Sequence, residues 1–305
     1  MTTFNDWIEK AWRRVNSGTA ESTVQLNAAV DASATQIFVT PVNSTAMRVG
    51  ARLSVDMEVM YVTFWNAGTG TASVIRGYEG STAAAHAMSA LVYIQPKYTR
   101  FDIGVALNDE LARLSSPDQG LFQVKHQDIT FNPVYMGYDL TQAVNDNFID
   151  IMEVRYKIPF PTRNYPGIHR WKVLRSIGDT TTLPSGAGIV FYEGGYPGQP
   201  VYVQYSAPFT QVDVSTANLN SDVRTLTGMT ATMLDIPPLG VEIQLTLPRE
   251  IRRNFMEFQP DPRKAPEVPS MAVSNSVQAL TILYNQRVSE EAGRLSRQYT
   301  RVEGW

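Results

Sequence analysis

The stretch from Asn275 to Tyr299 limits what this chain can fold into more than any other. Val277, Leu280, Leu283, Tyr284, Val288, Ala292, Leu295 and Tyr299 recur there at steps of three and four. That spacing lines up one face of an α-helix of about seven turns. Gln278, Gln286, Glu290, Arg294 and Arg297 fall on the opposite face. Ser274 or Asn275 can cap the start, because either side chain accepts from the exposed amides of a first helical turn. An apolar stripe of this length has to lie on something, either the chain's own domain or a neighbouring subunit. Its spacing drifts away from the 3.5-residue repeat that a coiled coil keeps.

Just upstream the local signals conflict. Leu239, Val241, Ile243, Leu245 and Leu247 alternate with Gly240, Glu242, Gln244 and Thr246, a pattern that alone spells a strand. Against it, Asp235 stands just before Pro237-Pro238, a usual helix start. Pro248 would kink or end such a helix, and the spacing from Glu250 to Phe258 is again helical. The expectation is a kinked helix or helix pair. Pro260, Pro262, Pro266 and Pro269 then predict a stiff, extended crossing to the final helix.

A chain of 305 residues has room for two domains or one large one. At 43% hydrophobic, 18% charged and a net charge of −3, it is neither disordered nor an electrostatic binder of nucleic acid. The absence of cysteine excludes disulfide scaffolds, cysteine zinc sites and thiol nucleophiles. The start, Met-Thr-Thr-Phe-Asn-Asp-Trp, lacks the basic and apolar regions of a signal peptide, and no apolar run reaches membrane-spanning length. A soluble protein made in a cytoplasm is expected, with no membrane partner.

From Phe4 to Val15 a short amphipathic helix is predicted, with Phe4, Trp7, Ile8, Ala11, Trp12 and Val15 on one side. Two tryptophans on so short a helix need a deep pocket, and docking on a partner is one way to provide it. Residues 22–95 read as a small β-module. Thr23–Leu26 and Thr35–Val39 alternate with period two, and strands follow at Arg52–Asp56, Glu58–Val62, Ala72–Gly77 and Leu91–Ile94. Gly68-Thr-Gly70 sits between two strands and opens no helix, so it is a hairpin turn and not a nucleotide loop. Arg76 is placed to bridge backbone carbonyls or Glu58, and Gly77 and Gly80 can supply positive φ. His86 has no triad-like Ser or Asp near it in sequence, and its Ala-rich turn is a structural setting.

A helix is predicted over Arg100–Leu114, ended by Ser-Ser-Pro-Asp. Five or six strands follow between 121 and 205, separated by Gly, Pro, Asn and Asp turns, which reads as a β-sandwich or curled sheet. Tyr135, Tyr138, Tyr156, Tyr165, Trp171, Tyr192, Tyr196, Tyr202 and Tyr205 make this region strongly aromatic. Sheet cores and subunit interfaces look like that, and so do sugar-binding sheets. Asn145, Asp146 and Asp150 lack the Gly and Glu spacing of a calcium loop, and Gly194–Gly198 leads into no helix. His86, His126 and His169 lack ligand spacing, and neither a glycosidase pair nor a Gly-x-Ser-x-Gly or zinc signature is present. No enzyme, cofactor or metal is expected. A short helix is predicted over Thr216–Leu226.

Two resemblances bear on function. Glu58-Val-Met-Tyr-Val, Val74-Ile-Arg-Gly-Tyr-Glu-Gly-Ser-Thr-Ala-Ala-Ala-His86 and Leu91-Val are similar to a β-module of tailed-bacteriophage virion proteins. In that module a strand ending near a glutamate pairs with one ending in Arg-Gly, before a Gly-Thr-x-Ala-x-x-His turn. Ser81 makes the turn one residue longer here. The order Pro200-Val-Tyr-Val-Gln-Tyr, Asp235-Ile-Pro-Pro-Leu-Gly, Pro248-Arg-Glu-Ile-Arg-Arg and Asn285-Gln-Arg-Val-Ser-Glu-Glu-Ala-Gly-Arg-Leu-Ser-Arg-Gln-Tyr resembles the head-to-tail adaptor, or neck, proteins of those phages. The second resemblance covers the last third of the chain, and many adaptors are shorter and helical.

The resemblance implies a homo-oligomeric ring of about twelve copies at the virion neck, bound to the portal protein and to a stopper or tail-completion protein, with DNA passing through transiently. Nine Lys/Arg against seven Asp/Glu over 249–305 suit protein docking more than a grip on phosphates. The expected contact residues are Trp7, Trp12, Arg252, Arg253, Leu280, Leu283, Tyr284, Arg294, Arg297, Tyr299 and Trp305. The alternative is a minor tail or fibre protein that binds a host-surface glycan through the aromatic sheet.

The predicted fold is α+β: a β-rich body, made of a small N-terminal β-module and a β-sandwich-like sheet, with a C-terminal α-helical region. Its predicted parts are a docking helix at 1–18, the β-module at 19–98, a helix and linker at 99–120, the sandwich-like region at 121–212 and a helical region at 213–305.

Overall fold

A computed structural model describes residues 1–16, 21–40, 46–135, 137–157, 167–176, 181, 183–193, 197–257 and 272–299, with side chains excepted at 247–257 and 272–276. The fold is α+β, with a β-rich body and a long C-terminal helix. The chain forms two compact units, neither of them one continuous stretch. The first joins Met1–Leu111 to Gln211–Asn285, and the second joins Ala112–Thr210 to Gln286–Trp305. The boundary predicted near 212 falls at the passage from the second unit back to the first. The predicted N-terminal helix and β-module lie in the same unit.

The first unit is built on six antiparallel strands: β1 (Ser22–Gln25), β2 (Gln36–Phe38), β3 (Arg52–Val55), β4 (Glu58–Asn66), β5 (Thr71–Ile75) and β6 (Leu91–Ile94), in the order β1-β6-β3-β4-β5-β2. All six overlap the strand runs expected from the sequence, of which Thr23–Leu26 and Thr35–Val39 alternate with period two. The two outer strands then meet. Asn27 N–H donates to Phe38 O at 2.8 Å, Thr40 N–H donates to Gln25 O at 2.9 Å, and Leu26 bridges Val39. The sheet therefore closes into a small barrel, which leaves no free edge for another strand to pair with. Val24, Leu26, Ile37, Val39, Leu53, Val55, Met60, Val62, Val74, Val92 and Ile94 fill its interior. Each such side chain contributes about 1.5–3 kcal/mol by leaving water.

Helix α1 (Phe4–Val15) starts in a capping box. The Thr3 hydroxyl accepts from Asp6 N–H at 3.2 Å, and the Asp6 carboxylate accepts from Thr3 N–H at 2.8 Å. Phe4, Trp7, Ile8, Ala11 and Val15 are buried, and the helix packs on α5 (Ile236–Glu257), where Arg14 reaches Glu242 at 3.0 Å. Thr99 and Asp102 make a second capping box at the start of α2 (Arg100–Leu114). The conflict over 239–247 resolves as helix, and the backbone stays helical through Pro248 to Glu257. In place of one helix over Thr216–Leu226 there is a 3-10 turn, Thr216–Asn218, and a separate short helix, α4 (Val223–Thr227).

The second unit is a sandwich of two three-stranded antiparallel sheets. One has the order β7 (Gln123–Thr130), β12 (Pro200–Ala207), β9 (Asp150–Tyr156). The other has the order β10 (Trp171–Leu174), β11 (Gly188–Phe191), β8 (Gly137–Asp139). Phe131, Tyr138, Leu140, Ile151, Val154, Trp171, Ile189, Val201, Val203 and Tyr205 form the layer of side chains in its core. The two runs predicted at 121–124 and 128–131 are one strand, β7. A turn of helix not expected from the sequence, α3 (Thr141–Asn145), leads into the turn at Asp146 and Asn147. The final helix, α6, spans Ala272–Gln298, so Ser274 and Asn275 lie inside it and do not cap it.

Within the first unit, a Cβ added to Gly240 of α5 would run into the carboxyl group of Glu110 on α2, which is 1% exposed. The glycine marks a close helix–helix approach. Gly240→Ala gains about 1 kcal/mol of helix propensity but forces a buried side chain to move, a strain of about 1–3 kcal/mol. Denaturant unfolding is expected to show a net loss of about 1 kcal/mol, while Gly198→Ala, where a Cβ meets no atom within 4 Å but φ is +80°, reports backbone strain alone.

Candidate functional site

At one end of the barrel lies a cluster of buried charges. Glu58, at the start of β4, is fully buried. Its carboxylate accepts from Arg76 Nε at 2.6 Å and Nη2 at 2.7 Å, from Gly77 N–H at 3.1 Å, from Ala84 N–H at 3.0 Å and from His86 Nε2 at 2.9 Å. Arg76 also donates from Nη1 to the Asp31 and Ala34 carbonyls at 2.7 and 3.0 Å, and from Nη2 to the Ala84 carbonyl at 2.5 Å. His86 Nδ1 reaches Asp56 at 3.0 Å, and the His86 backbone exchanges two hydrogen bonds with Val30. Gly77 turns the chain at φ +60°, where a Cβ would stand 2.9 Å from the Ser81 carbonyl oxygen.

The electrostatics follow from this geometry. Burial alone would raise the Glu58 pKa. The Arg76 and His86 hydrogen bonds, with the Ala84 and Gly77 amides, outweigh it and hold the value at about 2. Burial works against a charged His86, but its bonds to Asp56 and Glu58 raise its pKa above the ordinary value. A carboxylate has about four lone-pair positions, and this one meets five donors, so none is left for a substrate. The cluster fastens three connections of the barrel: β1 to β2, β3 to β4 and β5 to β6. Sequence reading paired Arg76 with Glu58 and with backbone carbonyls; it missed Asp56, which no local pattern marks.

The expected contact residues lie in different settings. Trp7 is 1% exposed and Tyr284 3% exposed, both sheltered by their own chain. Val277, Val288 and Leu295 are buried with Tyr284 along the same seam of α6. Trp12 is half-buried and meets Tyr93 edge-on at 5.8 Å. Leu280 and Tyr299 are half-buried, and Arg297 is exposed. Arg294 pairs with the buried Glu291 at 2.8 Å. Leu283 stands out at 47% exposed, beside Ile282 at 68%. The side chains of Arg252 and Arg253, and all of Trp305, lie outside the described residues.

Two further concavities went unseen in the sequence. One, of about 590 Å³, is lined by Lys125, His126, Asp128, Gln142 and Asp146 on the second unit. His126 is stacked there on Tyr202 at 4.9 Å, and Asp146 accepts from Lys125 Nζ at 2.6 Å and from the Tyr205 hydroxyl at 2.5 Å. The other, of about 380 Å³, involves Trp12, Asn16, Glu21 and Tyr93. Among the described residues no group of three or more His, Asp or Glu is placed to hold a metal ion, and no helix is long and apolar enough to cross a membrane. A scan against protein-family models finds no match, and a search of curated proteins finds none either.

The charge cluster predicts a specific pH signature. The stabilisation from Glu58 is complete above its ordinary value of 4.5 and fades as the pH falls toward about 2. That from His86 is complete below 6.5 and fades as the pH rises through its raised value. The stability difference between the parent and His86→Gln, measured by thermal unfolding, is therefore expected to be greatest between these limits and to shrink in alkali. Arg76→Met, which strands a buried carboxylate, is expected to cost about 3–5 kcal/mol near neutral pH.

Proposed function

We propose that this chain is a structural virion protein, a ring-forming head-to-tail adaptor between portal and tail through which DNA passes. The observation that carries the reading is the uncovered apolar pair Ile282 and Leu283, 68% and 47% exposed on a helix whose opposite seam is buried. Apolar side chains left in water on a long, regular helix are a natural surface for a neighbouring copy or the portal to cover. The barrel adds support for the virion class. Glu58, Arg76-Gly77 and His86, the residues that carry the resemblance to the phage module, are the ones that make the charge cluster. The sheltering of Trp7 and Tyr284 within the chain shifts the proposed contact surface to the other side of α6.

A second reading, a tail or fibre protein that binds a glycan, draws on the groove beside the stacked His126 and Tyr202. Aromatic faces with carboxylate and amide groups at their rim are suited to sugars.

Sedimentation of the purified protein, alone and mixed with the portal ring of its virus, tests the proposal. A ring, or a complex with the portal, is expected, and Ile282→Asp with Leu283→Asp is expected to abolish it without lowering the melting temperature. A persistent monomer that ignores the portal overturns the adaptor; a trimer that retains a sugar ligand favours the fibre.

A further inference from the structure

The smaller concavity, between α1 and the barrel wall of the first unit, has chemistry that the adaptor reading does not use. Trp12 and Tyr93, edge-on at 5.8 Å, line it together with Arg13, Asn16, Glu21 and Thr23. Asn16 is 6% exposed, and neither its amide oxygen nor its amide nitrogen has a hydrogen-bond partner. Both carboxylate oxygens of Glu21 are likewise shut from solvent and without a partner, and burial pushes the Glu21 pKa up. Arg13, at the rim, points to Glu9 at 3.7 Å and leaves Glu21 unpaired. Buried polar atoms left in this state cost about 1–3 kcal/mol each, more where charged. Side by side in one cavity, they describe the partner that is missing.

That partner has to donate to both oxygens of one carboxylate, donate to an amide oxygen and lie against aromatic rings. A guanidinium does all three: its planar fork matches a carboxylate bidentately, and its face stacks on Trp or Tyr. The remaining group, Asn16 Nδ2, needs an acceptor, which a peptide carbonyl next to an arginine supplies. We infer that this cleft is a slot for an arginine side chain carried by another polypeptide, which reaches the Glu21 and Asn16 atoms when the side chains that cover them turn aside. An ammonium, as a compact point charge, would satisfy one carboxylate oxygen well but makes no flat stack.

The inference does not depend on ring formation, so it can be tested on the monomer. The probe is N-acetyl-L-arginine N-methylamide, followed through the indole N–H resonance of Trp12, identified by its loss in Trp12→Phe. A saturable shift is expected. The citrulline analogue, which has the same shape without the charge, and the Glu21→Gln variant should each weaken it about ten-fold or more, the loss of a hydrogen bond to a charged group. Because Glu21 has no partner to lose, Glu21→Gln is expected to melt no lower than the parent, which separates lost binding from lost folding. No saturable shift with the arginine probe, or an undiminished one in Glu21→Gln, overturns the slot. A lysine analogue that binds as tightly as the arginine analogue overturns the guanidinium assignment.

Discussion

A carboxylate removed completely from water is among the most expensive things a small barrel can hold, and Glu58 is held that way. Desolvation of such a charge costs several kcal/mol unless its oxygens find donors in good geometry. Here the donors come from Arg76, Gly77, Ala84 and His86, and Arg76 carries the link on to the carbonyls of Asp31 and Ala34. Strands of three to five residues, such as β1, β2 and β5, have little ladder of their own to fix their loops. The cluster does that work instead. Because each member is satisfied only when the others are in place, the three connections order together. Closure of the barrel through Leu26 and Val39 then follows from where the β1 to β2 connection is pinned.

Much of the fold could be read in the sequence because it depends on local periodicity. The outer strands β1 and β2 alternate, β3 to β6 are apolar runs bounded by turns, and α2 and α6 repeat at helical spacing. The false strand signal at 239–247 has a physical cause. From Ile236 to Val241 every residue of α5 is buried, so that part of the helix faces protein on all sides and an alternating pattern imposes no conflict. Pro237 and Pro238 in the first turn, where no amide hydrogen is needed, were the better guide. What could not be read depends on distance in space. Nothing near Asp56 says that His86 will lie 3.0 Å away, and nothing near Asn16 or Glu21 says that both will be left without partners. Helix α3 was missed because five residues are too few for a period to show.

The two concavities differ in a way that decides what each can be. In the groove of the second unit both carboxylates already have partners: Asp146 holds Lys125 and Tyr205, and Asp128 holds Lys157 at 2.7 Å. A ligand there has to compete with bonds that exist, or make use of the exposed rings. In the cleft beside α1 the Asn16 amide and the Glu21 carboxylate have none, so a ligand that supplies donors to them adds bonds without breaking theirs. A ligand of the wrong shape would leave the same atoms unsatisfied, so such a cleft favours selectivity.

The geometry of α6 separates the side chains that its own chain buries from those that it leaves in water. Successive residues turn by roughly 100°, so Val277, Tyr284, Val288 and Leu295 superpose within about 20° of one another, and these four are buried. Leu283 sits roughly 120° from that line and Ile282 roughly 140° on the other side. Apolarity alone had drawn Leu283 into the stripe. Between those two residues on the far face come Gln286, Glu290 and Arg297, a polar strip bordered by apolar side chains. Glu290 is already tied to Arg287 at 2.8 Å, which keeps part of that strip charge-balanced. A surface of this kind, apolar at its margins and polar along its middle, is poorly suited to a core, because burying the polar strip would strand Gln286, Glu290 and Arg297 without water.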